Sequence, residues 1–161
     1  DCVVPALELD DGTCISEVFA ICQYLEELHP EPSLLGRTAT ERAVTTMWNA
    51  KAEQQGLWAT AEALRNTVKG LKGRALPGPD DYEQIPELAV RGRQRAGSFL
   101  ARLDNQLADH EFIAGNFFSI ADITAMVFVD FAMRLKIPLP DDAQRLLRWH
   151  DAVSSRPSAA A

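Results

Sequence analysis

The chain has 161 residues, 47% hydrophobic and 24% charged, with 16 Lys+Arg against 23 Asp+Glu for a formal net charge of −7. A chain of this length buries roughly 70% of its extended surface on folding, so it can hold a core without staples. The acidic balance, with no Lys/Arg run, argues against a phosphate-backbone binder, and no apolar stretch approaches the ~20 residues of a membrane span; neither nucleic acid nor a membrane is an expected partner.

Strand character is confined to the first fifteen residues. Val3-Val4-Pro5-Ala6-Leu7-Glu8-Leu9 is a short β-leaning run, Asp10-Asp11-Gly12 is a turn signal, and Thr13-Cys14-Ile15 returns, so a hairpin is expected. Pro5 cannot donate to a ladder and marks an edge, a bulge or a special peptide bond. Ser16 stands where a helix N-cap belongs, with Glu17 in the first turn, where the helix dipole favours an acid. Val18, Ile21, Cys22, Leu25 and Leu28 then share one helical face until Pro30 and Pro32 end the run. A hairpin plus one helix cannot close a core alone, so residues 1–30 are expected to be a piece of a larger α/β domain.

Beyond a connector at 31–37, residues 38–161 read as helices only. Thr38-Ala39-Thr40-Glu41 is a capping box opening a stretch to about residue 70, with Gly56 as a weak point. Residues 72–82 are a Gly/Pro-rich linker. A helix over about 86–109 buries Ala96, Phe99, Leu100, Leu103 and Leu107 and solvates Arg91, Arg93, Arg95 and Arg102. The next, about 119–135, is apolar nearly all round, which places it at the centre of a bundle. Phe118-Ser119-Ile120-Ala121-Asp122-Ile123 reads as its cap, with Ser119 and Asp122 bonded reciprocally and Phe118 stapled on Ile123, a structural role for both polar residues. The last helix spans about 142–155. Cys2, Cys14 and Cys22 are odd in number without a CxxC pair, which fits reduced cytoplasmic thiols, and the three His are isolated, so no metal site is expected.

Two stretches share one resemblance. Val4-Pro5-Ala6-Leu7-Glu8, Asp11-Gly12, Ile15-Ser16-Glu17, Ala20-Ile21 and Tyr24-Leu25 resemble the second half of the thioredoxin-like domain of cytosolic glutathione transferases, and Phe112-Ile113-Ala114-Gly115 with Ser119-Ile120-Ala121-Asp122 resembles the loop and cap of that family's helical domain. The resemblance implies a predominantly α fold, a hairpin and helix of a thioredoxin-like domain followed by an all-helical C-terminal domain. It also implies a cis bond before Pro5 that frees the Val4 backbone to pair with the cysteinyl part of glutathione. Glu17 would hold the α-amino group of the γ-glutamyl moiety. The next position, Ser or Thr in the family pattern, is Val18 here, leaving only its backbone N–H and the helix dipole for the γ-glutamyl carboxylate. Met47, Trp48 and Trp58 are candidates to line an apolar electrophile cleft, or are core or dimer packing. The family's thiolate-stabilising Tyr, Ser or Cys would precede Asp1, so no catalytic residue is named, and about 70–80 further residues are expected in the natural protein, on typical domain size. The implied protein is a cytoplasmic homodimer that uses glutathione as co-substrate, without metal, against a small hydrophobic electrophile, in the manner of a detoxification enzyme. The alternatives are a non-catalytic helical interaction module and a glutathione-dependent isomerase or dehalogenase.

Overall fold

The computed structural model describes residues 4–159, so Val3, the first residue of the expected strand, lies outside the described residues. β1 (Ala6–Glu8) pairs antiparallel with β2 (Cys14–Ser16) in the register Ala6↔Ser16, Leu7↔Ile15, Glu8↔Cys14. The turn closes through Leu9 N–H to the Thr13 carbonyl and Gly12 N–H to the Leu9 carbonyl, while Asp11 Oδ1 accepts from Thr13 N–H at 2.9 Å. Gly12 takes a φ of 83°, a conformation glycine adopts without a Cβ penalty. α1 (Val18–Leu28) follows directly. Here the expected cap is corrected: Ser16 is spent on the ladder, and Glu17 is the N-cap, with no side-chain cap hydrogen bond. The apolar edge of α1 is only partly covered among the described residues: Ile21 and Cys22 are partly buried, while Val18, Leu25 and Leu28 stay exposed.

The remaining elements form a helical bundle. α2 (Ala39–Lys51) begins at the expected capping box, Glu41 N–H on Thr38 Oγ1 at 3.1 Å and Thr38 N–H on Glu41 Oε2 at 3.1 Å. The single helix expected to about residue 70 is three pieces: α2, a π-helical segment Ala52–Leu57, and α3 (Trp58–Arg65). Gly56 lies inside the wide turn because a Cβ there would stand 2.7 Å from the Phe128 ring. Pro86 opens α4 (Pro86–Gln106) at its first position, where the missing N–H costs nothing. Its Gly92 lets the helix approach α3 closely; a Cβ would meet the Ala59 carbonyl oxygen at 2.6 Å and the Ala63 nitrogen at 2.8 Å.

α5 (Ile120–Arg134) and α6 (Gln144–Ser154) complete the bundle. Phe99, Leu100 and Leu103 of α4, Phe128 and Val129 of α5, and Leu146, Trp149 and Val153 of α6 make one core, with the Phe99 and Phe128 rings 5.4 Å apart. The all-round apolar character of α5 is only partly used, for Ile123, Phe131 and Met133 reach solvent. The four arginines of α4 are more than a solvated set. Arg91 and Arg95 both pair with Glu62 of α3, Arg102 bonds Gln55, and Arg93 caps the end of α5 through the Leu135 and Lys136 carbonyls, each at 3.0 Å. Asp104, buried in α4, takes the N-cap role for α6, accepting from Leu146 N–H at 2.9 Å while Arg145 pairs with its other oxygen at 2.9 Å.

Candidate functional site

The hairpin register brings the predicted residues of the N-terminal segment to one end. Ala6 faces Ser16, so Val4 and Pro5 on one side and Glu17 and Val18 on the other leave the ladder side by side. The Val4–Pro5 peptide bond is cis. Val4 is exposed, and among the described residues no hydrogen bond engages its backbone.

Glu17 has φ 71° and ψ 122°, a positive-φ conformation that a residue with a Cβ rarely adopts. This bend breaks the extended run of β2 and starts α1 at once. Ile21 N–H bonds the Glu17 carbonyl at 3.1 Å, whereas no hydrogen bond among the described residues engages the N–H groups of Val18, Phe19 and Ala20. An uncapped helix start carries roughly half a positive charge and free donors, which together suit an anion. The Glu17 carboxylate beside it suits a cation. The exposed Val4-Pro5 segment leading into β1, a carboxylate and an uncapped helix start therefore lie at one edge, a set able to receive an extended peptide and a zwitterionic amino-acid group.

The three residues named for an apolar cleft separate. Trp48 belongs to the core, 7% exposed, with Lys51 Nζ 4.3 Å from its ring centroid. Met47 is half-exposed on α2. Trp58, 66% exposed, lines a cavity of about 670 Å³ with Leu76, Pro77, Leu88 and the Arg65 and Arg91 side chains, and neither Met47 nor Trp48 lines it. Cys22 is partly buried, and burial first, then the nearby Glu26 charge, pushes its thiol up, the opposite of an activated thiolate.

The second motif closes around Asp122. Its Oδ2 accepts from the Ser119 N–H and hydroxyl, and its Oδ1 from Ile113 N–H and Trp149 Nε1–H, all at 2.9 Å. Burial holds this carboxyl above the ordinary aspartate range, against the opposing pull of those four hydrogen bonds. The carboxylate ties the 112–115 loop, the start of α5 and the middle of α6 into one knot. Phe118 packs edge-on against Phe112, centroids 6.0 Å apart, and carries the Arg156 guanidinium 3.8 Å above its ring, while Ile123 is partly exposed. Glu26, Asp104 and Trp149 carry no local signal in the sequence, because their partners lie on other elements or loops. Among the described residues no group of three or more His, Cys, Asp or Glu could hold a metal, and no helix is long and apolar enough to cross a membrane.

The family profile for the glutathione S-transferase C-terminal domain matches residues 75–157, just over half the chain, and that for the N-terminal domain matches residues 2–33. Glutathione S-transferase 2 of Saccharomyces cerevisiae is 35% identical over 156 residues, a match covering 96% of this chain and 64% of the yeast protein. This chain thus spans somewhat less than two thirds of that relative's length. Among solved structures, a glutathione S-transferase domain-containing protein of Marinobacter aquaeolei superposes with a TM-score of 0.87 at 38% identity, covering 98% of this chain and 74% of the other. A Gtt2-class glutathione S-transferase of Vibrio parahaemolyticus gives 0.82 at 36% identity, covering 97% and 70%. With the family profile matched over more than half the chain and a 38%-identical solved relative superposing along 98% of it, the chain belongs to the glutathione S-transferase family.

Proposed function

We propose that the edge formed by Val4, Glu17 and Val18 is the γ-glutamyl and cysteinyl half of a glutathione site. The protein carrying it attacks small apolar electrophiles with the glutathione thiolate. The single observation that carries this reading is the juxtaposition of the exposed Val4 backbone with the uncapped start of α1 behind Glu17. The Val4 backbone pairs antiparallel with the cysteinyl residue, the Glu17 carboxylate holds the α-ammonium, and the first amides of α1 hold the γ-glutamyl carboxylate. The positive φ of Glu17 supports a binding role, since such strain costs about 1–3 kcal/mol and clusters at ligand sites. What these residues contribute is positioning; the thiolate-stabilising group of the family pattern has no counterpart among Cys14 and Cys22.

The reading extends to a cytoplasmic homodimer in which 1–30 belongs to the thioredoxin-like domain, 31–37 is a linker and 38–161 the helical domain. The domain matches to residues 2–33 and 75–157 support the division into these two parts. Trp58 in its cavity is the better of the three electrophile-cleft candidates, because it alone joins exposure with apolar neighbours. Val18, without the family's hydroxyl, favours a second reading as a non-catalytic interaction module. Isomerisation or dehalogenation would use the same glutathione half-site. Calorimetric titration with glutathione separates binder from module: binding that Glu17→Ala weakens about tenfold, on the scale of one charge-assisted contact, supports the proposal, and equal affinity of the two proteins rejects it.

A further inference from the structure

We infer that Glu26 is a positioning residue that fixes the tilt of α1 against the helical bundle and so sets where Glu17 and Val18 stand; this rests on the half-site reading above. Among the described residues, Phe19, Ala20, Ile21, Cys22 and Tyr24 of α1 are only partly buried, and none is fully buried. Its attachment to the connector is polar. Both Glu26 oxygens are used: Oε1 accepts from the Ser33 hydroxyl at 2.8 Å and Leu35 N–H at 2.9 Å, and Oε2 from Leu34 N–H at 2.8 Å and again Leu35 N–H at 3.1 Å. No cation pairs with Glu26 among the described residues, so its charge is met by the connector's own donors. The Leu34 carbonyl then accepts from Ile120 N–H at 3.0 Å, the first residue of α5 beside the Ser119–Asp122 cap. Leu35 itself is buried at 9% exposure. A path of hydrogen bonds thus runs from α1 through Glu26 and the 33–35 connector into the most deeply buried helix.

The other tie is weaker. Arg42 bonds the Gly36 carbonyl at 2.9 Å but meets Glu27 of α1 only at 3.6 Å, with both side chains largely in solvent. Glu17 lies nine residues from Glu26, roughly 13 Å along the axis at the helical rise. Pivoting α1 by about 10° at Glu26 would carry the Glu17 end by roughly 2 Å, beyond the ~0.5 Å within which a binding constellation must be held.

The test combines amide exchange with a double-mutant cycle on the 161-residue chain. Glu26→Ala is expected to speed exchange through residues 18–28 and at Ile120 at least tenfold, leaving residues 99–103 of α4 unchanged, and to raise the glutathione Kd about tenfold. Glu26→Gln, which keeps one acceptor and the side-chain volume, is expected to fall between and guards against misfolding of the alanine variant. If Glu26 acts through the start of α1, adding Glu26→Ala to Glu17→Ala raises the Kd less than twofold further. Exchange in α1 within twofold of the unsubstituted chain, or fully additive effects on Kd, would overturn the inference. Failure of the unsubstituted chain to bind glutathione would count against the half-site reading instead, and the exchange data alone would then decide the role of Glu26.

Discussion

Replacing Asp122 with alanine should be among the most damaging single changes in the bundle. The substitution strips the acceptor from Ile113 N–H, Ser119 N–H and Trp149 Nε1–H, in residues between 0% and 2% exposed, while the Ser119 hydroxyl can rotate to another partner. Each buried donor left unpaired costs about 1–3 kcal/mol. Three such donors sum to about 3–9 kcal/mol before relaxation. Two effects reduce that figure: a water can enter the space vacated, and the desolvation that raises the carboxyl's pKa is itself a cost of the native protein that the alanine removes. A net loss of about 4 kcal/mol is expected, a large share of the 5–15 kcal/mol that typically separates folded from unfolded chains. Ser119→Ala removes one donor together with its need for a partner and should cost about 1 kcal/mol, and Trp149→Phe somewhat more, because the smaller ring also leaves a cavity in the core. Guanidinium unfolding followed by tryptophan fluorescence reads all three through Trp48, buried in the native state and retained in every variant. A loss within about 1 kcal/mol for Asp122→Ala, no greater than for Ser119→Ala, would refute the view that this carboxylate is the shared acceptor for three segments.

Three further outcomes are expected. Gly92→Ala should destabilise by about 2 kcal/mol, because its Cβ meets rigid α3 backbone at 2.6 Å, whereas Gly97→Ala, where an added Cβ has nothing within 4 Å, should stabilise by about 0.5–1 kcal/mol; thermal denaturation of the pair checks the sign of each. Stability should carry a pH component from Asp122: its folded pKa is raised, so above about pH 3.9 the unfolded chain loses this proton first, and the stability this group contributes falls as pH rises until the folded carboxyl ionises too. Asp122→Asn should remove that component from denaturation curves measured across the acid range, and identical slopes for the two proteins would contradict it. Val18→Ser should tighten glutathione binding about tenfold by restoring a hydroxyl beside the α1 start, read by calorimetry, and an unchanged Kd would place the γ-glutamyl carboxylate elsewhere.

What could be read in the chain was local. Thr38 with Glu41 and Ser119 with Asp122 lie three residues apart, and both boxes stand where expected because a helix start must satisfy its own donors nearby. The knot around Asp122 was only half legible: Trp149 lies 27 residues on, and nothing in its surroundings says that its indole N–H will turn to this carboxylate. Asp104 was illegible for the same reason, capping α6 from across the bundle. Ser16 misled because its residue type favours a cap, while hairpin register claimed it for the sheet and left Glu17 to make the turn at a φ of 71°. Helical periodicity placed Val18, Leu25 and Leu28 on one face correctly, yet a face is not a burial, and these side chains remain exposed. Trp48 and Trp58 look alike in sequence, but the π-helical turn between them helps send one into the core and the other into solvent.

The central claim, that the end of the hairpin and the start of α1 receive glutathione, is tested most directly by titrating the isotopically labelled chain with glutathione and following backbone amide shifts. The account predicts saturable changes largest at Val4, Glu17, Val18 and Phe19 and diminished in Glu17→Ala. Changes centred instead on the Trp58 cavity between α3 and α4, or no saturable change at any residue, would contradict it.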